Sequence, residues 1–91
     1  MSQKFNLGRI VATPVALAAL LESGEVAMTY ITRHASGDWG VVGTADARLN
    51  DDALLDDSRI LSTYILQSGV RIWIITEADR SATTVLLPDE Y

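Results

Sequence analysis

The stretch Arg71-Ile72-Trp73-Ile74-Ile75-Thr76 decides the fold of this chain. Every residue after Arg71 is β-branched or aromatic, the side chains that suit a pleated, half-buried surface. Strand alternation sends Ile72 and Ile74 to one side and Trp73 and Ile75 to the other. A strand apolar on both sides must be covered on both, or else mark an interface. Working outward, Gln67-Ser68-Gly69 and Glu77-Ala78-Asp79-Arg80-Ser81 read as turns. Beyond them lie two more β-prone runs, Arg59 to Leu66 and Ala82 to Leu87, the second ended by Pro88. Short loops between three such runs predict an antiparallel meander.

The first half has a different period. Arg9 to Ala12 reads as a short strand able to join the sheet as a fourth. Thr13-Pro14 then starts a helix, with Thr supplying the capping oxygen and Pro at the first helical position. That helix runs to Glu22 and stops at Ser23-Gly24, with Leu17, Leu20, Leu21 and either Val15 or Ala18 as the expected buried stripe. A second helix is expected over Glu25 to His34, with Val26, Ala27, Tyr30, Ile31 and His34 on one face. A two-residue connection would make the pair a helical hairpin. A third helix is expected from Thr44, as its cap, to about Asp57, with Leu49, Ala53 and Leu54 or Leu55 as its stripe. Asp56 and Asp57 would sit at its negative end, where Arg59 could tie them. The pattern predicts one α+β domain over 1–91: an N-terminal strand, two or three helices on one face, and a C-terminal sheet.

At 91 residues, with 48% hydrophobic and 21% charged side chains, the chain has the composition of one globular domain. Its 9.9 kDa mass predicts a folded surface of roughly 5,200 Å² against about 14,000 Å² unfolded. With no cysteine there is no disulfide, thiolate nucleophile or cysteine-ligated metal. Met1 to Asn6 lacks the pattern of a signal peptide. Val15 to Leu21 is the longest purely apolar run, far below the roughly 20 residues of a membrane span. A cytoplasmic protein without membrane contact is the expectation.

Charge is unevenly placed. Residues 38–57 hold Asp38, Asp46, Asp51, Asp52, Asp56 and Asp57 against Arg48, which accounts for the whole net charge of −5. Such a patch repels phosphate backbones, so direct nucleic-acid binding is not expected. Asp51-Asp52 and Asp56-Asp57 lack the alternating ligands, Gly and terminal Glu of a calcium loop. They fit a solvated helical face better than a weak magnesium site, and no metal or cofactor is expected. A second reading makes the acidic segment a nucleic-acid mimic that occupies a cationic groove on another protein.

Arg33-His34-Ala35-Ser36-Gly37-Asp38-Trp39-Gly40 is the best local candidate for chemistry. His34 and Asp38 could form a general-base pair beside Trp39. The competing reading makes His34 a cap or core residue, bonded in place to Asp38, and Trp39 a buried anchor. Glu77 and Arg80 share a hairpin tip, where loops present functional groups well. No Gly-x-Ser-x-Gly elbow or phosphate-binding glycine loop is present.

Phe5 to Pro14, the Arg33–Gly40 loop, Arg59-Ile60-Leu61-Ser62 with Tyr64, and the ending from Ile72 to Tyr91 together carry a resemblance. Over nearly its whole length the chain resembles a family of small bacterial proteins carried on plasmids and integrated mobile elements. Members bear labels such as plasmid-related protein or type I restriction subunit M. The second label conflicts with the residues: a methyltransferase subunit needs an Asn/Asp-Pro-Pro-aromatic motif, and Pro14 and Pro88 stand alone. The resemblance implies a mobile-element accessory protein, with a part in conflict with host defence, and transfers no catalytic residues.

These readings favour a non-enzymatic accessory or regulatory protein that binds another protein. The expected contact surfaces are the acidic third helix and the open sheet face around Trp73, with self-association through a sheet face or edge as a further expectation. The rivals are a small hydrolase or nuclease built on His34 and Asp38, and the acidic mimic.

Overall fold

The computed structural model describes residues 3–91. Strand β1 (Arg9–Ala12) leads into helices α1 (Pro14–Glu22), α2 (Ala27–Ala35) and α3 (Thr44–Asp56). Strands β2 (Ile60–Ile65), β3 (Arg71–Thr76) and β4 (Ala82–Leu86) follow, closed by a 3-10 turn at Pro88–Glu90. The α+β reading holds, and β1 does join the meander. The four strands are ordered β1-β4-β3-β2. β1 runs parallel to β4, while the β2–β3 and β3–β4 pairs are antiparallel. The accessible surface of 5266 Å² matches what the chain's mass dictates.

The β3 alternation organises the core. Ile72 and Ile74 join Tyr64, Leu66 and Val85 beneath Ala16 and Leu20 of α1 and Tyr30 and Ile31 of α2. Trp73 and Ile75 face the other way, opposite Leu86 and Thr84 of β4. A second cluster of Trp39, Ala53 and Ile60, with Phe5 and Leu54 packed on it, seats α3 at the β2 end of the sheet.

Thr13 caps α1 as expected, its Oγ1 accepting the Ala16 N–H at 3.1 Å with Pro14 at the first position. The buried face of α1 differs from the expected stripe. Ala16 and Leu20 are buried, whereas Val15, Leu17 and Leu21 are exposed. A helix apolar on all sides has no periodicity to mark its inner face, so packing alone decides. Helix α2 begins at Ala27, two residues later than expected, and the Glu25 carboxylate accepts instead from Ser23 and the Gln67 N–H outside the helix and from Tyr30 within it. The chain turns through 108° between α1 and α2, well short of a full hairpin reversal. Helix α3 is capped by Gly43 without a side-chain bond, not by Thr44, and Leu49 and Leu55 of its expected stripe are exposed. Among the described residues, no single helix is long and apolar enough to cross a membrane.

The β2 edge of the sheet is covered by the chain itself at Leu61 and Thr63. Asn50 of α3 donates to the Leu61 carbonyl at 2.7 Å and accepts the Leu61 N–H at 3.1 Å. Two residues on, Thr63 N–H donates to Trp39 O at 3.1 Å, and Val41 N–H donates to Thr63 O at 2.8 Å. Gly40 sits at the centre of this bridge with φ of 76°, and a Cβ there would fall 1.9 Å from Thr63 O. Only glycine fits.

Candidate interaction surface

His34 lies on the inner face of α2, fully buried. Its Nδ1 stands 2.6 Å from Ser62 Oγ, and its Nε2 stands 2.9 Å from Thr76 Oγ1. Thr76 Oγ1 is in turn 2.8 Å from Thr83 Oγ1, which donates to the Leu7 carbonyl at 2.7 Å. The terminal carbonyl fixes every proton in this chain. Thr83 spends its single hydroxyl hydrogen on Leu7, so Thr76 must donate to Thr83 and accept from His34. His34 therefore carries its proton on Nε2, and Nδ1 accepts from Ser62. Both nitrogens are occupied, and burial pushes the imidazole down to about 4, holding it neutral at ordinary pH. Phe5 and Trp39 close over the ring edge-on, at 5.2 and 6.0 Å between centroids.

Asp38 does not meet this imidazole, which corrects the expected His34–Asp38 contact. Its Oδ2 accepts from Arg33 Nε at 2.7 Å and its Oδ1 from the Gly40 N–H at 3.1 Å. The bonded Arg33 guanidinium holds the Asp38 carboxyl below its ordinary range. Arg33 also lies 4.7 Å from the Tyr64 ring centre, and Tyr64 donates its hydroxyl to Asp38 O. Burial pushes that phenol up to about 12. Trp39 is a buried anchor, as the competing reading had it, and its Nε1 donates to Asp51 at 3.0 Å. The loop is thus a structural clamp between α2 and β2.

The remaining candidates separate in space. Arg80 lies against α3: Nη2 donates to Ala53 O at 2.8 Å, and Nη1 donates to Ser58 O at 2.7 Å and Glu77 O at 3.1 Å. It supplies the positive charge for the negative end of α3, the role expected of Arg59, while Asp57 ends the helix in a left-handed conformation. Glu77 contributes backbone to this contact. Asp56 accepts from Ser58, and Asp46, Asp51, Asp52, Asp56 and Asp57 form no ion pair with a described residue. Among the described residues no group of three His, Asp or Glu side chains is placed to hold a metal ion.

Trp73 and the acidic helix, expected as two surfaces, meet in one groove. Asp46, Leu49, Asn50, Arg59, Leu61 and Trp73 line a cavity of about 240 Å³ between α3 and the outer sheet face. Leu49 is 64% exposed on its rim. On the other flank Tyr91 packs edge-on against Trp73 at 5.7 Å, with the Arg59 guanidinium 5.2 Å from the Tyr91 ring centre. The groove offers an indole floor, aliphatic walls and one charge of each sign. Asn50, Leu49, Arg59 and Tyr91 were not among the expected binding residues. The sequence pattern put Leu49 in the buried stripe of α3, and neither Asn50 nor the fold-back of Tyr91 left a signal. No family model, curated protein or solved structure matches the chain.

Proposed function

We propose that this protein is a non-enzymatic binding module that holds a cationic, apolar-anchored segment of another protein in the groove beside Trp73. The observation that carries this reading is the juxtaposition of a partly exposed indole with an acidic helix whose carboxylates form no ion pair with a described residue. Trp, Tyr and Arg that become fully desolvated on binding carry most of the energy of protein interfaces. A rim of like charge adds partner choice and encounter rate. Asp46, which lines the groove, would meet Lys or Arg of the partner, while Leu49, Leu61 and Trp73 take its apolar anchor. The sealed imidazole and the committed Asp38 support a surface role over hydrolysis. The resemblance to mobile-element proteins gives the module a setting, as an accessory or regulator of such an element.

Capture from the native host with three baits tests this: wild type, Trp73→Ala and Leu49→Asp. A genuine partner is retained by wild type, lost from both variants, and eluted steeply by salt. A partner held equally by all three baits, or substrate turnover lost on His34→Asn in a folded protein, contradicts the proposal.

A further inference from the structure

The two edges of the sheet are treated differently. The outward peptide groups of Leu61 and Thr63 on β2 are paired within the chain. On β1, Arg9 N–H and Thr13 N–H bond to Ser81 O and Val85 O, each at 3.0 Å. Backbone groups alternate along a strand, so the N–H and C=O of Ile10 and Ala12 point away from β4. No described strand lies beyond β1, and Ile10 and Val11 are 46% and 40% exposed. Soluble proteins guard such an edge with Lys, Pro, a bulge or a covering segment. β1 has only its shortness and Arg9.

We propose that a second copy of this chain occupies this edge, its β1 antiparallel to the first about a two-fold axis at Val11. In that register Ile10 faces Ala12 of the second copy and Ala12 faces its Ile10. Four N–H···O=C bonds then satisfy every outward group on both strands. Val11 meets Val11 of the second copy as a close, non-hydrogen-bonded pair.

Charge complementarity selects this occupant and this register. Arg9, on the same sheet side as Val11 and Thr13, is exposed and forms no ion pair with a described residue. Across the axis it faces Thr13 of the second copy. At that position a carboxylate is already fixed: Glu90 Oε1 accepts from Thr13 Oγ1 and from Leu87 N–H, each at 2.8 Å. Symmetry makes the Arg9–Glu90 contact twice. Because the β2 edge is covered at Leu61 and Thr63, pairing closes at two copies and does not continue into a fibre. The groove beside Trp73, at the β2 side, stays open in both copies.

The test uses the full chain. It has no cysteine, so Val11→Cys introduces a single thiol that would face its symmetry mate within disulfide reach. Mild oxidation should convert Val11→Cys to a covalent dimer while Leu55→Cys, at an 89% exposed site, stays largely monomeric. By sedimentation, Arg9→Glu and Glu90→Arg should each weaken association about tenfold or more, as two lost surface pairs and new repulsion imply. Amide exchange at Ile10 and Ala12 should slow as protein concentration rises. A chain that stays monomeric with fast-exchanging Ile10 and Ala12 amides overturns the proposal. So does a dimer in which those amides remain unprotected, or one that neither Arg9→Glu nor Glu90→Arg weakens.

Discussion

Asn50 and Leu61 are paired as two strands would be: the carboxamide gives one hydrogen to the Leu61 carbonyl and takes one from its N–H. A helical side chain thereby stands in for the missing neighbour of an edge strand. The same contact holds α3, with its acidic face, beside Trp73.

Asn50→Leu keeps similar bulk but leaves the Leu61 N–H and C=O without partners. We expect a loss of about 2–3 kcal/mol, the cost of a buried peptide stripped of its bonds. Asn50→Asp keeps the acceptor for the Leu61 N–H but buries a carboxylate with an oxygen aimed at the Leu61 carbonyl, so at neutral pH it should cost at least as much as Asn50→Leu. Urea unfolding of the three proteins checks the order, and faster exchange of the Leu61 amide in Asn50→Leu localises the effect.

Arg80, not Arg59, anchors the negative end of α3. Arg80→Ala should cost about 1.5–3 kcal/mol, the range for hydrogen bonds to a charged group, and should fray the last turn of α3. Arg59→Ala should leave α3 intact, because its guanidinium lies over Tyr91. Amide exchange at residues 53–57 separates the two variants. Equal exchange in both would remove Arg80 from this role.

Stability should depend on His34 in a definite direction. Burial lowers its folded pKa to about 4, whereas an unfolded chain binds the proton near the ordinary 6.5. Between those values the unfolded state takes up a proton that the native state refuses. The contribution is fully present above pH 6.5 and drains away as pH falls towards 4, by about 3 kcal/mol. Denaturant midpoints between pH 7 and 4 should show this slope. A His34→Gln variant, less stable at pH 7, should lack that part of it.

The sheet was largely legible in the residues, because Ile72 to Ile75 alternate as a strand apolar on both sides and short turns leave antiparallel neighbours. Thr13-Pro14 likewise marked the start of α1. The inner face of α1 was not legible, since Val15 to Leu21 is apolar in every direction. The chain of hydroxyls around His34 was hidden for another reason. Ser62, Thr76 and Thr83 become neighbours only through the pairing registers of β2, β3 and β4, which turn composition does not fix. Asn50 reaches across to a strand it meets only after folding, and Arg80 outcompetes the sequence-near Arg59 because a left-handed turn aims it at α3. The misses at His34, Asn50 and Arg80 each concern a polar side chain whose partner is distant in the chain.

The division of labour proposed for this protein, with the lone imidazole serving as an internal strut and the exposed groove as the contact surface, is tested most directly by nitrogen-detected NMR of His34 during an acid titration. The account predicts a neutral ring with its hydrogen on Nε2 from pH 8 down to about 5 and a midpoint near 4. A ring that takes up its second proton near pH 6.5, or that carries its hydrogen on Nδ1 at neutral pH, would contradict it.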